Sequence, residues 1–256
     1  MFPLAHAWMI EQCVPDPTLA HYLGSVWPDM LYGNPLTHQQ THRGGAALVA
    51  YAAALPPGDA ADEFRQFVQG ALSHGVEPHG FDWYSDEEYG GLPASERGYA
   101  FQRGRPLAER AAVACGIAPD QGWWKAHNLI EMAFERRLYA ERPERGERIA
   151  AACVDTALVE RISGRLAGHF AQPADALAIP MRRFPEIVEL RPRTVEALAH
   201  IYAMQTLLRH PGAEPDETAI ADLIAEAETI VAPDADEFLR ICSAQVRAML
   251  DSVFSA

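Results

Sequence analysis

Apolar residues recur at helical spacing along most of this chain, and runs of alternating β-branched residues are scarce. Alanine and leucine dominate the same stretches, and both enter a helix with little loss of side-chain freedom. The pattern predicts an all-α fold, with one multi-helix domain over 1–256. Residues 1–140 are expected to carry a functional site on their helices, and 141–256 to support them. Helices are expected at 4–13, 17–25, 44–55, from Asp59 or Asp62 to about Val76, 119–139, 143–169, 194–209, 217–231 and 234–254. Residues 94–115 carry a weaker helical pattern. The segment 44–55 is so rich in small apolar residues that burial is expected. Residues 30–43 read as irregular, 78–91 as a loop of acids and aromatics, and 173–192 as a stretch broken by Pro173, Pro180, Pro185 and Pro192.

A cluster of histidines and acids fills the first half. His6, Asp29, His38, His42, His74, His79, Asp82, His127 and Glu131 all precede residue 132. His127 and Glu131 are four apart within a helical stretch, which places both on one face, a turn apart. Imidazole nitrogen and carboxylate oxygen are donors that zinc and similar ions accept. Each residue also has a plain reading. A lone helical histidine is usually a surface or satisfied core residue, Pro28-Asp29 is a common turn pair, and His74 needs only a buried carbonyl. Trp123 and Trp124 read as core. What raises the set above these readings is its order, and the small apolar residues around it, which leave a histidine such as His74 in need of a polar partner.

The bulk properties narrow the function. A net charge of −14 argues against a surface built for nucleic-acid phosphate and fits a small-molecule substrate. No apolar run approaches the ~20 residues that span a bilayer, so no membrane insertion is expected. The first residues lack a basic start and an apolar core, and Cys13, Cys115, Cys153 and Cys242 are isolated. Both features predict a cytoplasmic protein with reduced, mostly buried thiols. The amphipathic C-terminal helices leave a homo-oligomer open.

In order and type, these residues resemble the zinc-dependent phospholipase C and single-strand nuclease superfamily. The resemblance runs through His6, Asp29 in Val26-Trp27-Pro28-Asp29, His42, His74 in Gly70-Ala71-Leu72-Ser73-His74, and His127 with Glu131, covering roughly residues 4–132. It implies an all-helical protein holding two or three divalent ions, most simply zinc, in a cleft, with manganese or iron as alternatives. The chain departs from the pattern at Pro78, where the family has an aspartate ligand; His79 and Asp82 are the expected replacements. The secreted members also ligate through a processed N-terminal amine, for which this sequence shows no signal. His38 competes with His42 for the loop position, and the Arg43-Gly44-Gly45 that follows favours His42.

The resemblance further implies that Asp29 is both ligand and the catalytic group that orients or deprotonates water. Arg43 is expected to meet a substrate oxygen, and Trp83, within Phe81-Asp82-Trp83-Tyr84, to line a cleft wall. The reading is therefore a metal-dependent hydrolase, phospholipase C-like, of an intracellular phosphoester. Two alternatives stand beside it: a di-iron or manganese enzyme on a non-phosphate substrate, and a non-catalytic helical binding module.

Overall fold

In the computed structural model, which describes residues 3–30, 35–88 and 98–254, fourteen α-helices and no strand are found. They are α1 Pro3–Cys13, α2 Leu19–Val26, α3 His38–His42, α4 Gly45–Ala53, α5 Asp59–His74, α6 Tyr99–Gly104 and α7 Ala108–Ala114. Then follow α8 Gly122–Glu141, α9 Glu144–Val154, α10 Thr156–Phe170, α11 Ala174–Ile187, α12 Val195–Arg209, α13 Glu217–Val231 and α14 Ala235–Phe254. The all-α expectation is correct. No described helix is long and apolar enough to cross a membrane. The four cysteines are free and buried.

The chain divides into two compact units. The first comprises His6–Trp83, Glu144–Glu186 and Ile241–Ala256. Its centre is the crossing of α2 on α5, which also receives α4, α9 and α10. Ile10, Tyr22, Leu23, Trp27, Phe64 and Phe67 are buried there. Two glycines set how closely α2 and α5 approach. A Cβ at Gly24 would stand 2.0 Å from the Phe67 carbonyl oxygen, and one at Gly70 would stand 2.2 Å from that of His21. Backbone cannot yield at such distances, so only glycine fits either position. Glu11, Arg145 and Tyr22 form a buried polar knot, with both donors 2.8 Å from the Glu11 carboxylate.

The second unit comprises Met1–Ala5, Tyr84–Pro143 and Ile187–Arg240. Here α6, α7 and α13 pack on α8, and α12 packs on α13. Leu129, Ile130, Leu138, Ile220, Ile224 and Phe238 are buried. Glu135 of α8 is also buried, and its carboxylate accepts from the Leu4 and Ala5 amides at 3.1 and 3.0 Å. These are donors that a helix start leaves without an internal partner.

Several elements differ from the sequence expectation, each for a physical reason. Residues 173–192 are not broken throughout: α11 runs through Pro180 and Pro185. Its apolar stripe of Leu177, Ala178, Met181 and Phe184 is buried, which offsets the two lost amide donors. The single helix expected over 143–169 is two, because Asp155 ends α9 and caps α10, its side chain accepting from the Leu158 amide at 3.0 Å. Buried α4 is also corrected: within it only Leu48 and Ala52 are buried, since alanine is as much at home on a helix surface as in a core. Residues 30–43 contain α3, nucleated by a capping box between Thr37 and Gln40. In the expected loop 78–91, Trp83–Glu87 forms a π-helical turn, and 89–91 lie outside the described residues. Of the segment 94–115, residues 94–97 likewise lie outside.

Candidate metal centre

The first unit brings five of the expected residues together. Donor atoms of His6, His74 and Asp82 lie within 4.8 Å of one another, as do those of Asp29, His42 and His74. Each arrives from a different local setting. His6 lies in α1, and Asp29 ends the 3₁₀ turn Trp27–Asp29 that continues α2, with Pro28 at its start. His42 is the last residue of α3, and His74 the last of α5. Asp82 follows eight residues later.

The two carboxylates divide their oxygens in the same way. Asp82 places Oδ1 3.5 Å from His6 Nε2, and Oδ2 3.4 Å from His42 Nε2 and 3.1 Å from His74 Nε2. Asp29 places Oδ2 3.9 Å from His6 Nε2, and Oδ1 3.8 Å from both His42 Nε2 and His74 Nε2. Most of these separations exceed hydrogen-bond length. Two donors each about 2.0–2.2 Å from one ion stand about 3.0–3.6 Å apart, so the cluster has nearly the spacing of shared ligands.

The surroundings agree with that spacing. The outer nitrogen of His74 lies 2.6 Å from the Ser25 carbonyl, so it carries a proton and turns Nε2 toward the two aspartates. That Nε2 is buried with Asp82 Oδ2 at 3.1 Å as its nearest acceptor, and the buried Nδ1 of His6 makes no hydrogen bond. Buried polar atoms without partners are rare and costly, and a cation among these donors would satisfy His74 Nε2 directly. Electrostatics point the same way. Burial would raise Asp82, but His74 and His6 hold it well below the usual carboxylate range. Burial would lower His74, yet Asp82 and Asp29 lift it to about 9. Burial, together with His74, pushes His6 down to about 3. The two carboxylates thus draw positive charge to their centre.

The other expected residues are not in these two donor groups. His79 is exposed and stacks on Trp83, ring centres 3.8 Å apart, and it is in neither donor group. Of the two replacements expected for the ligand at Pro78, Asp82 therefore joins the cluster. His38 stacks on His42 at 4.0 Å and is exposed. Arg43 forms an ion pair with Glu77 at 2.6 Å.

His127 and Glu131 belong to the second unit, where they meet Asp86. Here the contacts are hydrogen bonds. His127 Nε2 is 2.7 Å from Asp86 Oδ1 and 3.4 Å from Glu131 Oε1, and His127 Nδ1 is 2.9 Å from Asn128 Oδ1. Ser85 donates to Glu131 at 2.8 Å. Burial would lower His127, but Glu131 and Asp86 raise it well above the ordinary imidazole value. Phe101 and Trp124 stack on its ring at 4.2 and 5.0 Å. Trp123 and Trp124 are 42% and 40% exposed, which corrects their reading as core. Asp86 was not among the expected residues. Its signal was the spacing of four from Asp82, hidden by reading the segment as a loop.

Compared with known proteins, the chain matches no family model, no curated protein and no solved structure at a significant level.

Proposed function

We propose that this protein is a metal-dependent hydrolase of a small phosphoester, with its centre at His6, Asp29, His42, His74 and Asp82. One observation carries the reading. Both aspartates turn one oxygen toward His6 and the other toward His42 and His74, at the spacing of shared ligands. Divalent ions would be held by Asp29 and Asp82 together with His6 on one side and His42 and His74 on the other.

Bound divalent ions would lower the pKa of a water and polarise a phosphoryl oxygen. The chain's own residues do the rest. Asp29 has the most exposed of the carboxylates, its side chain 19% accessible against 10% for Asp82. In this reading it orients the attacking water. Arg43 turns from Glu77 to a substrate oxygen, and Trp83, with His79 stacked on it, forms a wall for the substrate's organic part. Phosphoester is favoured by the resemblance of His6, Asp29, His42 and His74, in order and type, to the phospholipase C and nuclease superfamily. Zinc is the first choice of ion. The carboxylate share of the donor set suits manganese or iron as well, and these would serve a non-phosphate substrate.

Metal analysis by mass spectrometry, with hydrolysis of p-nitrophenyl phosphate and bis-p-nitrophenyl phosphate, tests the proposal. Two ions per chain and turnover of either ester are expected. Protein that takes up no divalent metal after reloading would overturn it and leave a helical binding module.

A further inference from the structure

The three imidazoles of the cluster are held from behind in three different ways. His74 is held by backbone, through the Ser25 carbonyl at 2.6 Å. His42 is held by a side chain: its Nδ1 lies 2.9 Å from Thr41 Oγ1. His6 has no hydrogen-bond partner at Nδ1, although the atom is buried. A histidine ligand is usually fixed by the hydrogen bond its outer nitrogen makes, so the three are not equally prepared to bind an ion.

Thr41 has acceptors of its own one turn back. Its hydroxyl oxygen is 3.4 Å from the carbonyl oxygens of Thr37 and His38, one turn back along α3. Carbonyl oxygens only accept, so they offer the hydroxyl proton a place to go. The hydroxyl oxygen can then accept from His42 Nδ1, the tautomer that leaves Nε2 free for an ion. His42 Nε2 faces Asp82 Oδ2 and Asp29 Oδ1 at 3.4 and 3.8 Å. The helix that carries this pair is itself anchored. Its start is closed by the Thr37–Gln40 capping box, and the His42 carbonyl accepts from the Val76 and Glu77 amides at 2.7 and 3.0 Å. Thr41 and His42 are both buried, so water does not compete for the hydroxyl.

We propose that Thr41 is a positioning residue that sets the tautomer of His42, and that the half of the centre built on His42 and His74 therefore takes its ion more tightly than the half built on His6. The inference rests on the hydrolase reading only in taking the cluster to hold divalent ions. Ser25 acts through its backbone, so Thr41 is the side chain through which this control can be removed.

The test is titration of the full, metal-free chain with zinc by calorimetry, and with cobalt(II) followed by visible absorption. Wild type is expected to bind in two unequal steps. Thr41→Val keeps the shape and removes the hydroxyl; it should weaken the tighter step by about 10- to 100-fold and shift the cobalt bands of that step. Thr41→Ser keeps the hydroxyl on His42 Nδ1 and should bind within about three-fold of wild type. Thermal unfolding of each metal-free form shows that it is folded, and Thr41→Ala replaces the valine variant if that one does not fold. Unchanged zinc affinity in the hydroxyl-less variants, or an equal loss in the serine variant, would overturn the role of Thr41 while leaving the centre in place. Absence of zinc and cobalt binding in wild type would overturn both readings together.

Discussion

The first unit gathers two aspartates around three imidazoles, and the second gathers Asp86 and Glu131 around His127, yet the distances differ in kind. In the first, nitrogen and oxygen stand 3.1–3.9 Å apart, and buried nitrogens lack partners. In the second, His127 and Asp86 close to 2.7 Å, and both nitrogens of the ring are bonded. The same residue types can thus make a socket or an ion pair. What decides between them is whether the acids can reach the ring. Asp29 and Asp82 each face three imidazoles and cannot bond all of them, whereas Asp86 meets one. An ion entering the second group must first break the His127–Asp86 hydrogen bond, so it should bind there more weakly than in the first.

Four substitutions act on that contrast. The largest effect is expected from Asp82→Ala, which removes an oxygen from each half of the first cluster. Metal content in that cluster should fall to background and hydrolysis by at least about 10²-fold, as mass spectrometry and ester turnover would show. Next is His127→Ala in the second unit. It leaves Asp86 and Glu131 facing each other without their cation, at a cost of about 3 kcal/mol in a urea titration. Metal bound by the first cluster should be unchanged; a drop in it would erase the distinction drawn between the two groups.

The third concerns pH. Burial pushes Glu135 up to about 8 from an ordinary value of 4.5, against the pull of the two α1 amides. Between those values the folded chain holds a proton that the unfolded chain has lost. The stability from this group is therefore complete below about pH 4.5 and declines as pH rises to about 8, by up to roughly 5 kcal/mol. Glu135→Gln should flatten that slope when urea midpoints are compared from acid to alkaline buffer. The smallest effect belongs to Arg43→Gln. Its ion pair with Glu77 is partly exposed and contributes less than about 1 kcal/mol. A rise in KM of about three- to ten-fold with unchanged metal content would be the mark of a substrate contact.

Much of this was legible in the residues. Runs of helix-forming residues at helical spacing located α1, α5, α8 and α12 to α14 closely, and the structure adds the side-chain caps Thr194 and Asp216 at the starts of α12 and α13. The prolines of α11 misled, since local rules count lost amides and not the burial of Leu177 and Phe184 that offsets them. Alanine misled in α4, as it is silent about exposure. In the site, the order of His6, Asp29, His42 and His74 was readable. The choice between His79 and Asp82 was not, because it depends on the path of the chain after His74. Asp86 needed a helical turn where Gly80, Pro78 and the aromatics spelled a loop. Trp123 and Trp124 read as core, but residue type does not say which face of α8 meets solvent, and both are exposed.

The four buried cysteines have a consequence for chemistry on the intact protein. Burial raises every one of these thiols, those of Cys13 and Cys153 to about 12, so a maleimide finds no ready thiolate until the chain opens. Cys13, Cys153 and Cys242 lie in the first unit and Cys115 alone in the second. Alkylation rates, read peptide by peptide, therefore report how readily the chain opens around each cysteine, and added zinc should slow those at Cys13, Cys153 and Cys242 through the free energy of binding.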